Sequence, residues 1–183
     1  GLITELGSNP SLSTVVEDLL ALTTAMGNEL ASPEWVREHA HDFLAETESY
    51  PMAPSARVEF TQVLTKWRSK QEMRVNMLPL VEELAAELRR RGVVTFNEQM
   101  SVAAKLARDH QTVGASQRAR FRVVMLDEYQ DTSHAQRVLL RSLFGEGADP
   151  ELTVTAVGDP MQAIYGWRGA KVENVQQFLH DFP

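Results

Sequence analysis

"VVMLDEYQDTSHAQ", residues Val123 to Gln136, is the stretch that decides the fold. Val123 to Leu126 ends an apolar, β-favouring run that opens at Phe121, and two carboxylates, Asp127 and Glu128, follow at once. Ser133 to Phe144 then reads as a helix. "GEGADPE" reads as a loop and Leu152 to Val157 as a second β-run. "GDPMQAIYGWRGA" is another loop, and Val172 to Leu179 is the last helix. Strand–helix–strand–helix with compact connections predicts a parallel α/β unit, whose chemistry sits at the carboxyl ends of its strands. Both unusual motifs of the sequence lie at those ends.

An Asp directly after a buried parallel strand projects into the crevice where nucleotides bind in such sheets. A carboxylate there can hold Mg²⁺, directly or through water, and its neighbour can orient an attacking water. Asp127 and Glu128 have this placement, although Asp-Glu can equally end a strand in a polar turn. The second motif adds weight, because it brings Gln162, Tyr165, Trp167 and Arg168 within seven residues. An amide can sense a terminal phosphate, aromatic faces can stack unpaired bases, and Arg can pair with phosphate or stack. Core packing is the alternative for the aromatics, but Gly166 and Gly169 flank Trp167 in a loop.

Upstream, the sequence reads as helices. Thr14-Val15-Val16-Glu17 fits a capping box, with Leu19, Leu20, Leu22 and Met26 after it. Ser32-Pro33-Glu34 is a helix start, followed by Val36, Ala40, Phe43 and Leu44 on one face. "YPMAPS" (50–55) is a break. Phe60, Val63, Leu64 and Trp67 form one stripe of a long periodic segment, and Leu80, Leu84 and Leu88 form another. Pro79 between them should kink or divide the helix. Arg89 to Arg91 suit a helix C-terminus and Gly92 can stop it. Thr95-Phe96-Asn97-Glu98 is a second capping box, opening a helix to about His110, and "QTVGASQRAR" (111–120) reads as a polar linker.

Composition narrows the function. The chain has 183 residues, a net charge of −7 and no cysteine, which excludes disulfides and thiolate metal sites and suggests a reducing cytoplasm. The five histidines are scattered, which argues against a histidine metal site. No apolar run approaches a membrane span, and the first residues have no form of a secretory signal. Charge is uneven: residues 61–122 hold twelve bases and six acids, against two and ten in 1–60 and four and nine in 123–183. A basic middle in an acidic chain can mark a surface that faces a polyanion, or a well-solvated helix face. The four lysines (Lys66, Lys70, Lys105, Lys171) never follow a glycine, so no glycine-rich loop ending in Lys and Ser or Thr is present to hold phosphates.

"LDEYQDTSHAQ" and "VGDPMQAIYGWRGA" together resemble motifs II and III of the UvrD/Rep family of superfamily 1 DNA helicases. "VENVQQFLHDFP" resembles the family's continuation, and "VVTFNEQMSVAAKL" its upstream helix, less strongly. The close resemblance covers about residues 121–183. It implies an ATP-dependent motor that moves 3′→5′ on DNA, with single-stranded and forked DNA as partners and ATP and Mg²⁺ as cofactors. It implies a mainly α chain with an α/β remnant: a helical region like subdomain 1B over residues 1–112, then part of a RecA-like core over 113–183. Asp127 would help hold Mg²⁺, and Glu128 would activate the hydrolytic water and approach the metal through water. Gln130 and Asp131 would support that geometry, and Asp159 opens motif III. Gln162 would contact the γ-phosphate, Tyr165 and Trp167 would stack on single-stranded DNA, and Arg168 would hold backbone or acidic groups. Tyr129 stands where many relatives have Phe.

The missing phosphate loop is then explained if the chain is a middle piece of a longer helicase, inactive alone as an ATPase. Such a piece would expose a sheet edge and a core face, and could self-associate or recruit a neighbouring chain. The alternatives are a non-catalytic module binding single-stranded DNA or a protein, and part of a helicase–nuclease of the RecB or AddA type. The basic stretch itself leads us to expect Lys66, Arg68, Lys70 and Arg74 near duplex DNA in such a parent protein.

Overall fold

A computed structural model of the chain describes residues 11–48, 58–145 and 151–183. "YPMAPS", most of "GEGADPE" and the side chain of Phe60 lie outside the described residues. The described chain is mostly helical with one two-stranded parallel sheet, in two compact units: residues 1–23 with 31–93, and residues 24–30 with 94–183.

Helix α1 (Leu12–Asn28) starts one turn earlier than its sequence suggests. Ser11 Oγ accepts from the Thr14 amide at 3.2 Å, so the hydroxyl that caps the first turn is Ser11, and Thr14 to Glu17 lie inside the helix. The face turned inward carries Val15, Leu19, Leu22 and Met26, while Leu20 points outward.

In the first unit, α2 (Pro33–Glu48) packs on α3 (Val58–Arg91). Ser32 Oγ accepts from the Trp35 amide at 3.1 Å, and Pro33 takes the first helical position, where its missing N–H costs nothing. The inward face of α2 carries Val36, Ala40, Phe43 and Leu44, as expected, and adds Thr47.

Three expectations for α3 are corrected. Pro79 does not divide the helix, which runs for 34 residues. Proline forfeits one hydrogen bond there, and the burial of Met77, Leu78 and Val81 around it offsets the loss. Val63 and Trp67 are exposed, and the inward stripe is Leu64, Arg68, Gln71, Val75 and Leu78. Arg68 is not free to face DNA: its Nη1 donates to the Leu44 carbonyl at 2.7 Å and to Thr47 Oγ1 at 2.5 Å. These bonds occupy the end of α2, while Lys66, Lys70 and Arg74 stay exposed. The helix stops as its sequence indicates. Gly92 has φ +64, its amide donates to Arg89 O, and the Val93 amide donates to Leu88 O, which is a Schellman closure.

The second unit is built on the close approach of α4 (Phe96–Asp109) to α6 (His134–Leu140). Ser101, Ala104, Ala107 and Ala135 are buried, and such small side chains let backbones pack closely. Thr95 caps α4 through its side chain, which accepts from the Glu98 amide at 3.1 Å. The segment 111–120 is not a linker but a helix, α5 (Gln111–Arg120). Tertiary contacts overrule its polar sequence. Arg118 Nη1 donates to the Leu143 carbonyl at 2.8 Å, and a Cβ on Gly114 would stand 2.4 Å from the Ser142 carbonyl oxygen.

Strands β1 (Val123–Leu126) and β2 (Thr153–Ala156) pair in parallel, with Val123 opposite Thr153 and Leu126 opposite Ala156. The crossover runs through α6 and a π-type turn, Arg141–Gly145. β1 is covered on one face: Val124 and Leu126 are half-buried, but Met125 is 76 % exposed. Among the described residues one face only of this sheet is covered. The final helix is two short ones, α7 (Glu173–Gln176) and α8 (Phe178–Asp181), broken at Gln177.

Candidate functional site

The two strands end side by side, and their parallel register brings the two motifs together. The Val157 amide donates to Leu126 O at 2.8 Å and the Tyr129 amide donates to Val157 O at 2.9 Å, so the turn after β1 is fastened to the end of β2. Asp127 and Glu128 lie exposed at this edge. Asp127 Oδ1 accepts from the Glu128 amide at 2.9 Å. Glu128 has φ +50 and ψ +43, a left-handed conformation that costs a non-glycine residue about 1–2 kcal/mol. That conformation turns the chain sharply into a 3-10 turn, Tyr129–Asp131, and leaves the Glu128 carboxylate at the sheet's end.

Below it sits Gln130, 1 % exposed. Its Nε2 donates to Glu128 Oε2 at 2.6 Å, and its Oε1 accepts from the Asp159 amide at 3.1 Å. A Cβ on Gly158 would stand 2.6 Å from Gln130 Oε1, so a glycine is required for this approach. The bridge continues outward: Asp159 Oδ2 accepts from Gln162 Nε2 at 2.8 Å, and its Oδ1 accepts from the Met161 amide at 2.9 Å. Gln162 and the Met161 amide hold the Asp159 carboxyl below the usual carboxylate range. Glu128 and Gln162, named from separate motifs, are thus joined through Gln130 and Asp159. The resemblance assigned Gln130 a supporting part, but no local pattern revealed that it is buried or which two groups it joins.

The aromatic residues are not core residues. Trp167 is 75 % exposed and Tyr165 is also exposed, with ring centroids 6.4 Å apart. The Arg168 guanidinium lies 4.5 Å from the Trp167 centroid and 5.2 Å from that of Tyr165. A cation over both rings makes a positively charged, flat-sided surface. Gly169 closes the Gly166–Arg168 turn with φ +86, and an isolated bridge between Ser133 and Ala170 ties the loop's exit to the first motif.

No group of three or more metal-ligating side chains forms among the described residues. Asp127 and Glu128 offer two exposed carboxylates, which fits Mg²⁺, an ion that keeps several waters and takes one or two carboxylates together with phosphate oxygens. Among the described residues, no helix is long and apolar enough to cross a membrane.

Beneath the site, the Asp181 carboxylate is fully buried and pairs with Arg137 of α6. Arg137 Nε donates to Asp181 Oδ2, and Nη2 donates to Oδ1 at 2.9 Å. Burial works against the charged carboxylate, but the hydrogen bonds and charge of Arg137, with His180 and Arg141, hold its pKa below the ordinary value. Tyr129 is buried nearby, its ring edge-on to Phe178, and burial together with the Asp181 charge pushes its hydroxyl pKa up.

Residues 9–183 match the family model of the UvrD/REP helicase N-terminal domain. The chain is 43 % identical over 94 residues to DNA helicase II of Escherichia coli (strain K12), covering 51 % of this chain and 12 % of that protein. It is 35 % identical over 105 residues to the ATP-dependent DNA helicase UvrD1 of Mycobacterium tuberculosis (strain ATCC 25618 / H37Rv), covering 56 % of this chain and 14 % of that one. With the ATP-dependent DNA helicase PcrA of Leuconostoc citreum it shares 36 % identity over 98 residues, 54 % of this chain and 13 % of that protein. The matched part of the chain thus spans about an eighth of the length of these relatives. The family match takes in the paired strand ends, the carboxylates and the aromatic loop alike, and the chain belongs to the UvrD/REP helicase N-terminal domain family.

Proposed function

We propose that this chain supplies the water-activating and DNA-contacting part of an ATP-dependent DNA helicase moving 3′→5′. The hydrogen-bonded path Glu128–Gln130–Asp159–Gln162 carries the reading, because it links the two motifs that phosphate chemistry needs to act together. The strand pair and its crossover, with α4 and α5 packed on them, are read as the RecA-like part, and α2 and α3 as subdomain 1B.

Asp127 and Glu128 would hold Mg²⁺, Glu128 through water. The ion, when bound, neutralises charge on the phosphates. Glu128, held by Gln130, accepts the proton of the attacking water. Gln162 donates to the γ-phosphate, and on hydrolysis that bond is lost at one end of a loop whose other end carries Tyr165 and Trp167. The sequence holds no glycine-rich phosphate loop, so the 183 residues alone are expected to release no phosphate from ATP. Magnesium-dependent phosphate release by this chain would overturn that part.

Single-stranded DNA stacks on the exposed aromatics. Trp167→Ala should weaken its binding by about 1–3 kcal/mol, or roughly 5–150-fold, with little change in the salt slope. Fluorescence anisotropy of a labelled oligothymidylate measures both, and unchanged affinity would exclude Trp167 as a stacking platform. Lys66, Lys70 and Arg74 are proposed to face duplex DNA. Changing all three to Ala should weaken forked-duplex binding and flatten its salt dependence by about three phosphate contacts. An unchanged slope would make them a solvated helix face.

A further inference from the structure

The aromatic loop is short and exposed, and its conformation is held from a side that neither motif indicates. The last turn of α1 lies against it within the second unit. Asn28 Nδ2 donates to the Arg168 carbonyl at 2.8 Å, on the peptide that joins Arg168 to Gly169. The Asn28 side chain also lies so close to Gly169 that a Cβ there would stand 2.8 Å from Nδ2 and 3.1 Å from Asn28 Cβ. Two residues on, Lys171 Nζ pairs with Glu29 Oε2 at 2.6 Å. The turn of α1 is itself fastened: Asn97 Nδ2 donates to the Thr24 carbonyl at 3.1 Å, and Gly27 leaves the room that Asn97 fills. From the other side the Lys171 amide and Asn174 Nδ2 donate to the Thr132 carbonyl, at 3.1 and 2.8 Å.

We propose that Asn28 is a positioning residue for the base-stacking surface, holding the Arg168 peptide so that Arg168 stays over Tyr165 and Trp167 before DNA arrives. The inference rests on the reading of that surface as the DNA platform. A loop already in its binding conformation does not have to be ordered on association, and a preorganised site binds more tightly for that reason. Without the Asn28 amide the Arg168 carbonyl loses its donor, and the peptide before Gly169, whose backbone is left-handed, is held through the Gly169 amide, which donates to the Gly166 carbonyl at 3.0 Å. Asn28 lies 140 residues from Arg168 in sequence, and no periodicity or spacing joins them.

Hydrogen–deuterium exchange of the complete protein, with binding of a fluorescein-labelled oligothymidylate, tests this. In Asn28→Ala, peptides spanning 163–171 should exchange at least fivefold faster, while those of α4 are unchanged. Half-maximal binding should need about three to ten times more protein, and ATP hydrolysis without DNA should keep its rate. Should Asn28→Ala also loosen α4, Asn28→Asp decides. It keeps the size that packs on Gly169 but has no proton to give, and it should loosen the loop and weaken binding likewise. Exchange and affinity like the wild type in Asn28→Asp would overturn the proposal. Trp167→Ala separates the two readings: if it leaves affinity intact, the stacking surface itself is wrong. If it weakens binding while both Asn28 variants bind normally, only the positioning role of Asn28 fails.

Discussion

Glu128→Gln should lower kcat for ATP hydrolysis by about 10²–10⁴-fold in the complete protein, with KM for ATP nearly unchanged. Glutamine matches glutamate in size, and its carbonyl oxygen can still accept from Gln130 Nε2, so the turn after β1 should persist. What it cannot do is take a proton from water. Asp127→Asn should act differently, raising the magnesium concentration needed for half-maximal activity, because it weakens a hard oxygen ligand. Steady-state phosphate release over a magnesium series distinguishes the two. A Glu128→Gln protein within threefold of the wild-type kcat would remove Glu128 from the chemistry and leave it as a turn residue. Gln130 is the reason for expecting a large effect: a buried amide bonded to this carboxylate is arranged to orient it, and an oriented base is worth more than a mobile one.

Asp181→Ala should destabilise the protein by about 2–4 kcal/mol, since it strands the largely covered Arg137 charge and empties a fully buried position. The loss should also reach the first motif, because Tyr129 packs edge-on to Phe178 beside this pair. The pair has a pH signature. The Asp181 pKa is lower in the folded chain than the unfolded value of about 3.9, so its contribution is complete above that value. It fades as pH falls through 3.9 towards the folded pKa, where the unfolded state binds the proton more readily. Urea unfolding of the wild type and Asp181→Asn at pH 7, 5 and 3 checks the sign: the gap in stability should be nearly the same at pH 7 and 5 and narrower at pH 3. A gap independent of pH would show that the ion pair is not what the substitution removes.

Much of the local structure was legible. Ser32-Pro33, Thr95 and Gly92 mark helix ends through bonds that each residue makes within its own turn, so their meaning does not depend on distant neighbours. The parallel pairing of β1 and β2 was likewise readable, from two short apolar runs separated by a helix. The failures have a common cause. "QTVGASQRAR" has no apolar period, and it is helical because Gly114 and Arg118 meet carbonyls of the turn after α6. Val63 and Trp67 look like core by residue type, yet α3 turns Leu64 and Arg68 inward, because Arg68 satisfies two oxygens at the end of α2. Pro79 is a helix breaker on its own terms, and the packing on either side of it outweighs that preference.

The candidate site divides along the same line. By itself the sequence determined the chemical groups and their order: two carboxylates after a strand, then an amide, two aromatics and a guanidinium after the next. Backbone preference and residue type suffice for that, because each motif lies within one connection. Only the tertiary structure decided which groups touch. Gln130 reaches both Glu128 and Asp159 because parallel strands end at the same level, and Gly158 lets the second connection close on the first. Asn28 reaches the Arg168 carbonyl because a helix that begins far upstream finishes beside the loop. Contacts of that range depend on where whole elements come to rest. That is set by the burial of side chains from many parts of the chain, and no short stretch encodes it.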